Sequence, residues 1–541
     1  MSADGTTTPS STKTCPPFLS LQGPDMSTVT TVTEQPPKLA GEERFDYIRG
    51  RFGLIAALPL LIGILVLPID MPNPQQAMLA VLTVVVLLWI TEPVPIPVTA
   101  LIGIALLVVL GVGTPQEVYG SFGSATVFLV IGAFILARAM TVHGLDRRFA
   151  LKVLSFPGIG NSTYRTAAAF GVVACILSMF VSSSATAAML LPIGIGVVKT
   201  IGDLIQEQNP GIKTNRTKFS CLLMLSIAYG ASIGSVLTPI TGIANVIGRG
   251  TIERMTGYKV ELFDWISMSA PYLLVMGAVM WVALILVNRP EVKHIRGGQD
   301  YFRAHYADLG PMNRGERNVL VIFLVTVVLW VLPSLVTTFG ITSPIVTAFT
   351  DHLNEGSVVV LTAGLLFFLP RGNGSGESTL TWTEAAKIDW GTVLLVGAGL
   401  TIGTMMNATG LAETLGTTIA RATGVQSSWV LALIAIVMGL VISETTSNTA
   451  SVGIVVPIII PIALAIGVDP IIPAMAGVFG ANAGAMLPVS TPPNAIVYGS
   501  GYVPMIKMIS TGIFIDIICI ICIPLIFGAV VGIGSLIALH A

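Results

Sequence analysis

The sequence predicts an all-α polytopic membrane protein with about 11 transmembrane helices plus two re-entrant hairpins, arranged as two inverted repeats. Three observations lead there. The 541 residues are 53% hydrophobic and 10% charged, with a mean hydropathy of +0.85, whereas a soluble protein carries about 25% charge. Two long apolar runs are each interrupted midway by a polar cluster. Three sequence blocks occur twice, in the same order. The formal net charge of -1 offers no basic face for nucleic acid, and no nucleic-acid partner is expected.

Residues 1 to about 40 are rich in Ser, Thr and Pro and read as a disordered tail within a 1–50 segment, in which 42–51 could form a surface helix. Apolar runs long enough to cross a bilayer, about 20 residues, lie near 52–70, 77–91, 96–112, 123–142, 219–247, 267–288, 318–337, 356–370, 390–407, 471–500 and 508–538. The runs 166–198 and 428–466 are interrupted by Ser182-Ser183-Ser184 and Ser447-Asn448-Thr449. Their halves read as hairpins that enter and leave on one side, because irregular backbone inside a membrane must face a cavity or other protein. With the N-terminus inside, 23 of the 27 Lys and Arg fall in cytoplasmic segments, leaving Arg249, Arg254, Lys259 and Arg421 outside. The C-terminus is then outside, and the expected location is a bacterial inner (plasma) membrane.

The repeated blocks are Thr126 to Leu145 with Thr392 to Leu411, Ile176 to Ile193 with Leu440 to Ile458, and Gly230 to Asn245 with Gly480 to Asn494. Five crossings separate the hairpins, an odd number, so the repeats at 51–290 and 318–541 are inverted about a cytoplasmic linker at 291–317. The first hairpin then opens from the cytoplasm and the second from outside, and their tips should be labelled from opposite faces. Each repeat also carries a Pro-Gly-rich break in its later span, at 238–242 and 488–494. Such breaks free backbone carbonyls for a cation and helix N-termini for an anion, the arrangement of secondary transporters.

The tips supply candidate oxygens: Ser182, Ser183 and Ser184 in the first, Ser447, Asn448 and Thr449 in the second, with Ser178 and Ser443 one helical turn before them. Small hydroxyl residues also let membrane helices pack closely, and it is the pairing of the two clusters that favours a site. No Lys or Arg lies in 166–198, 219–248 or 427–506, so the expectation is that no basic side chain reaches the site and that co-bound cations balance an anion. Glu444 reads as a water-facing charge near a tip. Cys519-x-x-Cys522 in an all-apolar run reads as packing, with no metal site. A membrane hydrolase using a clustered serine lacks an activating histidine or lysine in the hairpins, and an ion channel needs no inverted hairpins.

Ser447-Asn448-Thr449, Ser490-Thr491-Pro492-Pro493-Asn494 and Trp89-Ile90-Thr91-Glu92-Pro93-Val94-Pro95 resemble motifs of the divalent anion/sodium symporter (DASS) family, over about residues 50–540. The resemblance implies a non-enzymatic homodimer with scaffold and transport domains, an elevator mechanism, and a small divalent anion such as a C4-dicarboxylate carried by sodium symport. A sodium-independent dicarboxylate or sulfate exchanger is the alternative. It implies substrate at Ser182, Ser183, Ser184, Ser447, Asn448, Thr449, Thr491 and Pro492. Sodium (Na+) would sit at Ser178, Ser183 and Thr241, and at Ser443, Asn448 and Ser490. The first half departs from the pattern, with Ser182-Ser183-Ser184 for Ser-Asn-Thr and Gly242-Ile243-Ala244-Asn245 for Thr-Pro-Pro-Asn.

Overall fold

A computed structural model describes residues 41–208, 217–239, 241–260, 262–294, 298–338, 353–372 and 376–540. The tail expected over 1–40 lies outside the described residues. The short helix expected at 42–51 is the beginning of a longer one, α1 (Gly41–Val66). It is followed by α2 (Asn73–Thr91), α3 (Ile96–Val109), α4 (Ala125–His143), α5 (Leu145–Leu154), α6 (Thr163–Ser178) and α7 (Ser183–Gln208). Next come α8 (Lys218–Gly234), α9 (Ile243–Thr256), α10 (Leu262–Val287), α11 (Gly298–Ala307), α12 (Arg314–Thr338) and α13 (Glu355–Leu365). The remainder is α14 (Trp390–Ala408), α15 (Leu411–Thr423), α16 (Ser428–Thr445), α17 (Asn448–Ala465), α18 (Ile471–Asn482), α19 (Pro492–Gly499) and α20 (Met505–His540). The protein is an all-α polytopic membrane protein.

Among the described residues, nine helices are long and apolar enough to cross a bilayer. Two of these are α16 and α17, the arms around Ser447-Asn448-Thr449. At 1.5 Å per residue each 18-residue arm spans about 27 Å, so length alone does not separate a hairpin arm from a crossing. Conversely, four runs read as crossings contain helices too short for one: α3, α8, α13 and α18. In α8 and α18 the backbone breaks where Pro and Gly accumulate, at 235–242 and 483–491. The exposed apolar side chains of α1, α10, α12 and α20, among them Leu58, Leu274, Val328 and Leu525, form surface suited to acyl chains.

Two pairings dominate the packing and resemble each other: α6 lies along α8, and α16 lies along α18. Both are close because glycine removes the side chain at the contact. A Cβ on Gly234 would run into the Cys175 carbonyl, and one on Gly480 would sit 2.6 Å from the Ile436 carbonyl oxygen. Each hairpin's first arm is thereby seated on the helix that precedes a break. The second arms cross over, α7 packing on α19 and α17 on α9. At the α2–α3 turn, Glu92 ends α2 in the left-handed conformation (φ 45°), its amide capping the Leu88 carbonyl before Pro93 and Pro95 redirect the chain.

Candidate functional site

The breaks leave polar backbone inside the protein, and each is closed by an asparagine one turn into the following helix. Asn245 donates to the carbonyls of Ser235 (2.9 Å) and Thr238 (3.1 Å), while Trp265 Nε1 and Ser269 Oγ of α10 take Val236 (2.9 Å) and Leu237 (3.0 Å). Asn494 donates to the Leu487 carbonyl (3.2 Å) and to Ser490 Oγ (3.3 Å). The two breaks are joined through Asn482, whose amide donates to Asn245 Oδ1 at 2.9 Å. These bonds satisfy groups that would each cost about 1–3 kcal/mol if buried unpaired.

Between the breaks lies a cavity of about 650 Å³, within the range of small-molecule sites. Both tips line it: Ser182, Ser183, Ser184, Ser447, Asn448 and Thr449, together with Thr241, Thr491 and Pro492. Four helix N-termini converge there. Ser182 accepts from the Ala185 amide (3.3 Å), Ser447 from Ala450 (3.3 Å) and Thr491 from Asn494 (3.3 Å), and Gly242 begins α9. All four of these residues face the cavity. Each N-terminus carries roughly half a positive charge, so together they make the concavity attractive to anions. Both tips thus meet in one cavity.

Ser178, Ser443 and Ser490 do not line the cavity but lie buried behind it. Asn448 reaches the latter two: with the amide oriented to satisfy both ends, its nitrogen donates to the Ser490 carbonyl (3.0 Å), the Ala481 carbonyl (3.2 Å) and Ser443 Oγ (2.7 Å). The first half is tied in the other direction. Thr241 Oγ1 donates to the Ser178 carbonyl and Thr238 Oγ1 to the Met179 carbonyl, both at 2.7 Å, while Ser178 Oγ donates to Cys175 (3.0 Å).

Two sequence expectations are overturned. Glu444 does not face water: it is 5% exposed and accepts the amides of Met486 (2.8 Å) and Leu487 (3.0 Å), clamping the second break. Basic side chains do reach the cavity, namely Arg138 from α4 and Lys387 from just before α14, beside Asp389. Position in the sequence alone places both in cytoplasmic segments. The available signal was that Arg138 sits inside the 123–142 apolar run, where a charge points to function. Asn482, also in the lining, was likewise missed, its partner being 237 residues away.

Residues 50–534 match the sodium:sulfate symporter transmembrane region. The chain is 31% identical over 478 residues to the sodium-dependent dicarboxylate transporter SdcS of Staphylococcus saprophyticus, covering 88% of this chain and 90% of that protein. Identity to the SdcS of Staphylococcus aureus strain USA300 is 33% over 462 residues, 85% and 86% of the two chains. The fold is similar to the crystal structure of the YdaH transporter of Alcanivorax borkumensis, with a TM-score of 0.51 at 13% identity over 86% of this chain and 99% of that one. With its tips, breaks and motifs placed as described, the chain belongs to the sodium:sulfate symporter family, that is, the divalent anion/sodium symporters, which are membrane transporters and not enzymes.

Proposed function

We propose that the chain is a secondary active transporter of the elevator type that moves a small divalent anion, such as a C4-dicarboxylate, by sodium symport. The observation that carries this reading is the convergence of both hairpin tips and four helix N-termini on one cavity. Carboxylates complement those N-termini and the tip hydroxyls. The sodium dependence in the names of the staphylococcal relatives favours sodium over other coupling ions.

The second sodium site would use Ser443, Asn448 and the Ser490 backbone, with Asn448 within hydrogen-bonding reach of the other two and its amide oxygen turned toward the ion. The first would use Ser178, Ser183 and Thr241, of which Thr241 and Ser178 are joined through the Thr241 hydroxyl and the Ser178 carbonyl. Substrate would contact Ser182, Ser183, Ser184, Ser447, Asn448, Thr449, Thr491 and Pro492. The matched packing of α6 on α8 and α16 on α18 supports two repeats, at 51–290 and 318–541, and the Lys and Arg distribution favours their inversion, with 11 crossings, the N-terminus cytoplasmic and the C-terminus outside. A homodimer with scaffold and transport domains in a bacterial plasma membrane completes the proposal.

The test is uptake of labelled succinate, citrate and sulfate into proteoliposomes under a sodium gradient, a proton gradient, or preloaded counter-anion. Sodium-driven succinate accumulation is the expected result. Uptake that needs only internal anion would replace symport by exchange.

A further inference from the structure

Arg138 is a charged residue within an apolar helix, and such groups are costly unless paired. Its side chain makes no hydrogen bond or ion pair among the described residues, and its Nε is buried without a partner. Lys387 likewise has no side-chain partner among the described residues. Both line the same cavity as the hairpin tips. The acidic neighbour, Asp389, is committed elsewhere: its carboxylate caps α14, accepting the Thr392 amide at 3.2 Å and the Thr392 hydroxyl. This part of the lining therefore keeps a positive excess. It is also separate in the chain from the tips, coming from one face of α4 (Phe134, Ala137, Arg138, Thr141) and the start of α14.

We propose that Arg138 and Lys387 form a cationic subsite in the cavity wall that takes the negative charge of a dicarboxylate remote from the hairpin tips, selecting dianions over monoanions. One carboxylate would lie at the tips, among helix N-termini and hydroxyls. The other would meet a guanidinium, whose planar fork suits a carboxylate better than the point charge of lysine. The inference rests on the transport reading above and adds the residues that read the second charge.

The test is equilibrium binding of radiolabelled succinate, with sodium present, to the full-length protein purified in detergent. Competition by monomethyl succinate, a monoanion of nearly the same shape, measures charge selection. Loss of a charge-assisted contact predicts that Arg138→Gln raises the Kd for succinate about tenfold or more while changing that for the monoester much less. Lys387→Gln should do the same more weakly, and Arg138→Lys should recover part of the loss. Asp389→Asn keeps a capping residue while removing the opposing charge, and should tighten succinate binding. If Arg138→Gln does not fold, Lys387→Gln and Asp389→Asn carry the test through their opposite signs. Unchanged Kd values in the folded variants, or equal losses for succinate and its monoester, would overturn the subsite and leave the transport proposal standing. A wild-type protein that binds no divalent anion would remove both.

Discussion

The two hairpin tips face one cavity but are held to their breaks by different chemistry. In the first half the break reaches out, with the Thr238 and Thr241 hydroxyls donating to hairpin carbonyls, and Ser183 makes no side-chain hydrogen bond among the described residues. In the second half the hairpin reaches out: Asn448 donates to Ser490 and Ala481, and Glu444 collects two amides. A serine is too short to span that gap, which is why the first break must supply the donors. The difference teaches that similar backbone geometry does not imply equal roles. The second tip is locked by its own side chains, while the first keeps a hydroxyl free for a ligand.

The largest expected effect tests what the halves share. Leucine at Gly480 would drive a side chain into the Ile436 backbone, and leucine at Gly234 into that of Cys175. Overpacking of this kind costs about 1–3 kcal/mol or more, so both variants should lose most folded protein in size-exclusion profiles. A well-folded Gly234→Leu protein beside an unfolded Gly480→Leu protein would show that the seats differ as the tips do.

Asn448→Ala should come next. It leaves the Ser490 and Ala481 carbonyls unpaired, at about 1–3 kcal/mol for each buried group, and should lower uptake by about 100-fold in protein that remains folded. Near-normal uptake would remove Asn448 from the site. Glu444→Gln should follow, since one neutral carbonyl oxygen replaces a carboxylate on two amides; a loss of about 1–2 kcal/mol should appear as a lower thermal midpoint. Ser183→Ala is the smallest, with a loss of uptake under about tenfold. A defect as severe as that of Asn448→Ala would break the asymmetry. Ser183→Asn sharpens it: preserved uptake with raised sodium affinity would mean that the first half can adopt the chemistry of the second, whereas blocked uptake would mean that Ser183 makes room for a bulkier substrate.

The hairpin tips and breaks were legible because their signals are local: polar clusters within apolar runs, and Pro-Gly segments where helices must stop. The motif at Ser447-Asn448-Thr449 was legible for the same reason, and it lines the cavity. What escaped depended on distance along the chain. Arg138 and Lys387 look like loop charges until α4 and the start of α14 are brought to one cavity. Glu444 looks solvated until residues 42 and 43 positions later present amides to it. The exact helix ends were not legible from hydropathy, which measures length and not continuity; α8 and α18 end inside longer apolar runs, at the Pro-Gly segments.

The seating of each first arm on a later helix carries a consequence for biosynthesis. As the chain leaves the ribosome, α6 and α7 emerge before α8, so the first hairpin must wait for residues 218–234 to find its seat, and the second must wait for 471–482. Because α7 also packs on α19, the first tip has its final neighbours only after Pro492 has been made, with about nine-tenths of the chain already delivered. Until then Ser182, Ser183 and Ser184 are polar groups without the cavity walls that later surround them. Chains released before residue 492 should therefore display this nascent tip to membrane quality control and be degraded, however well their earlier helices have inserted.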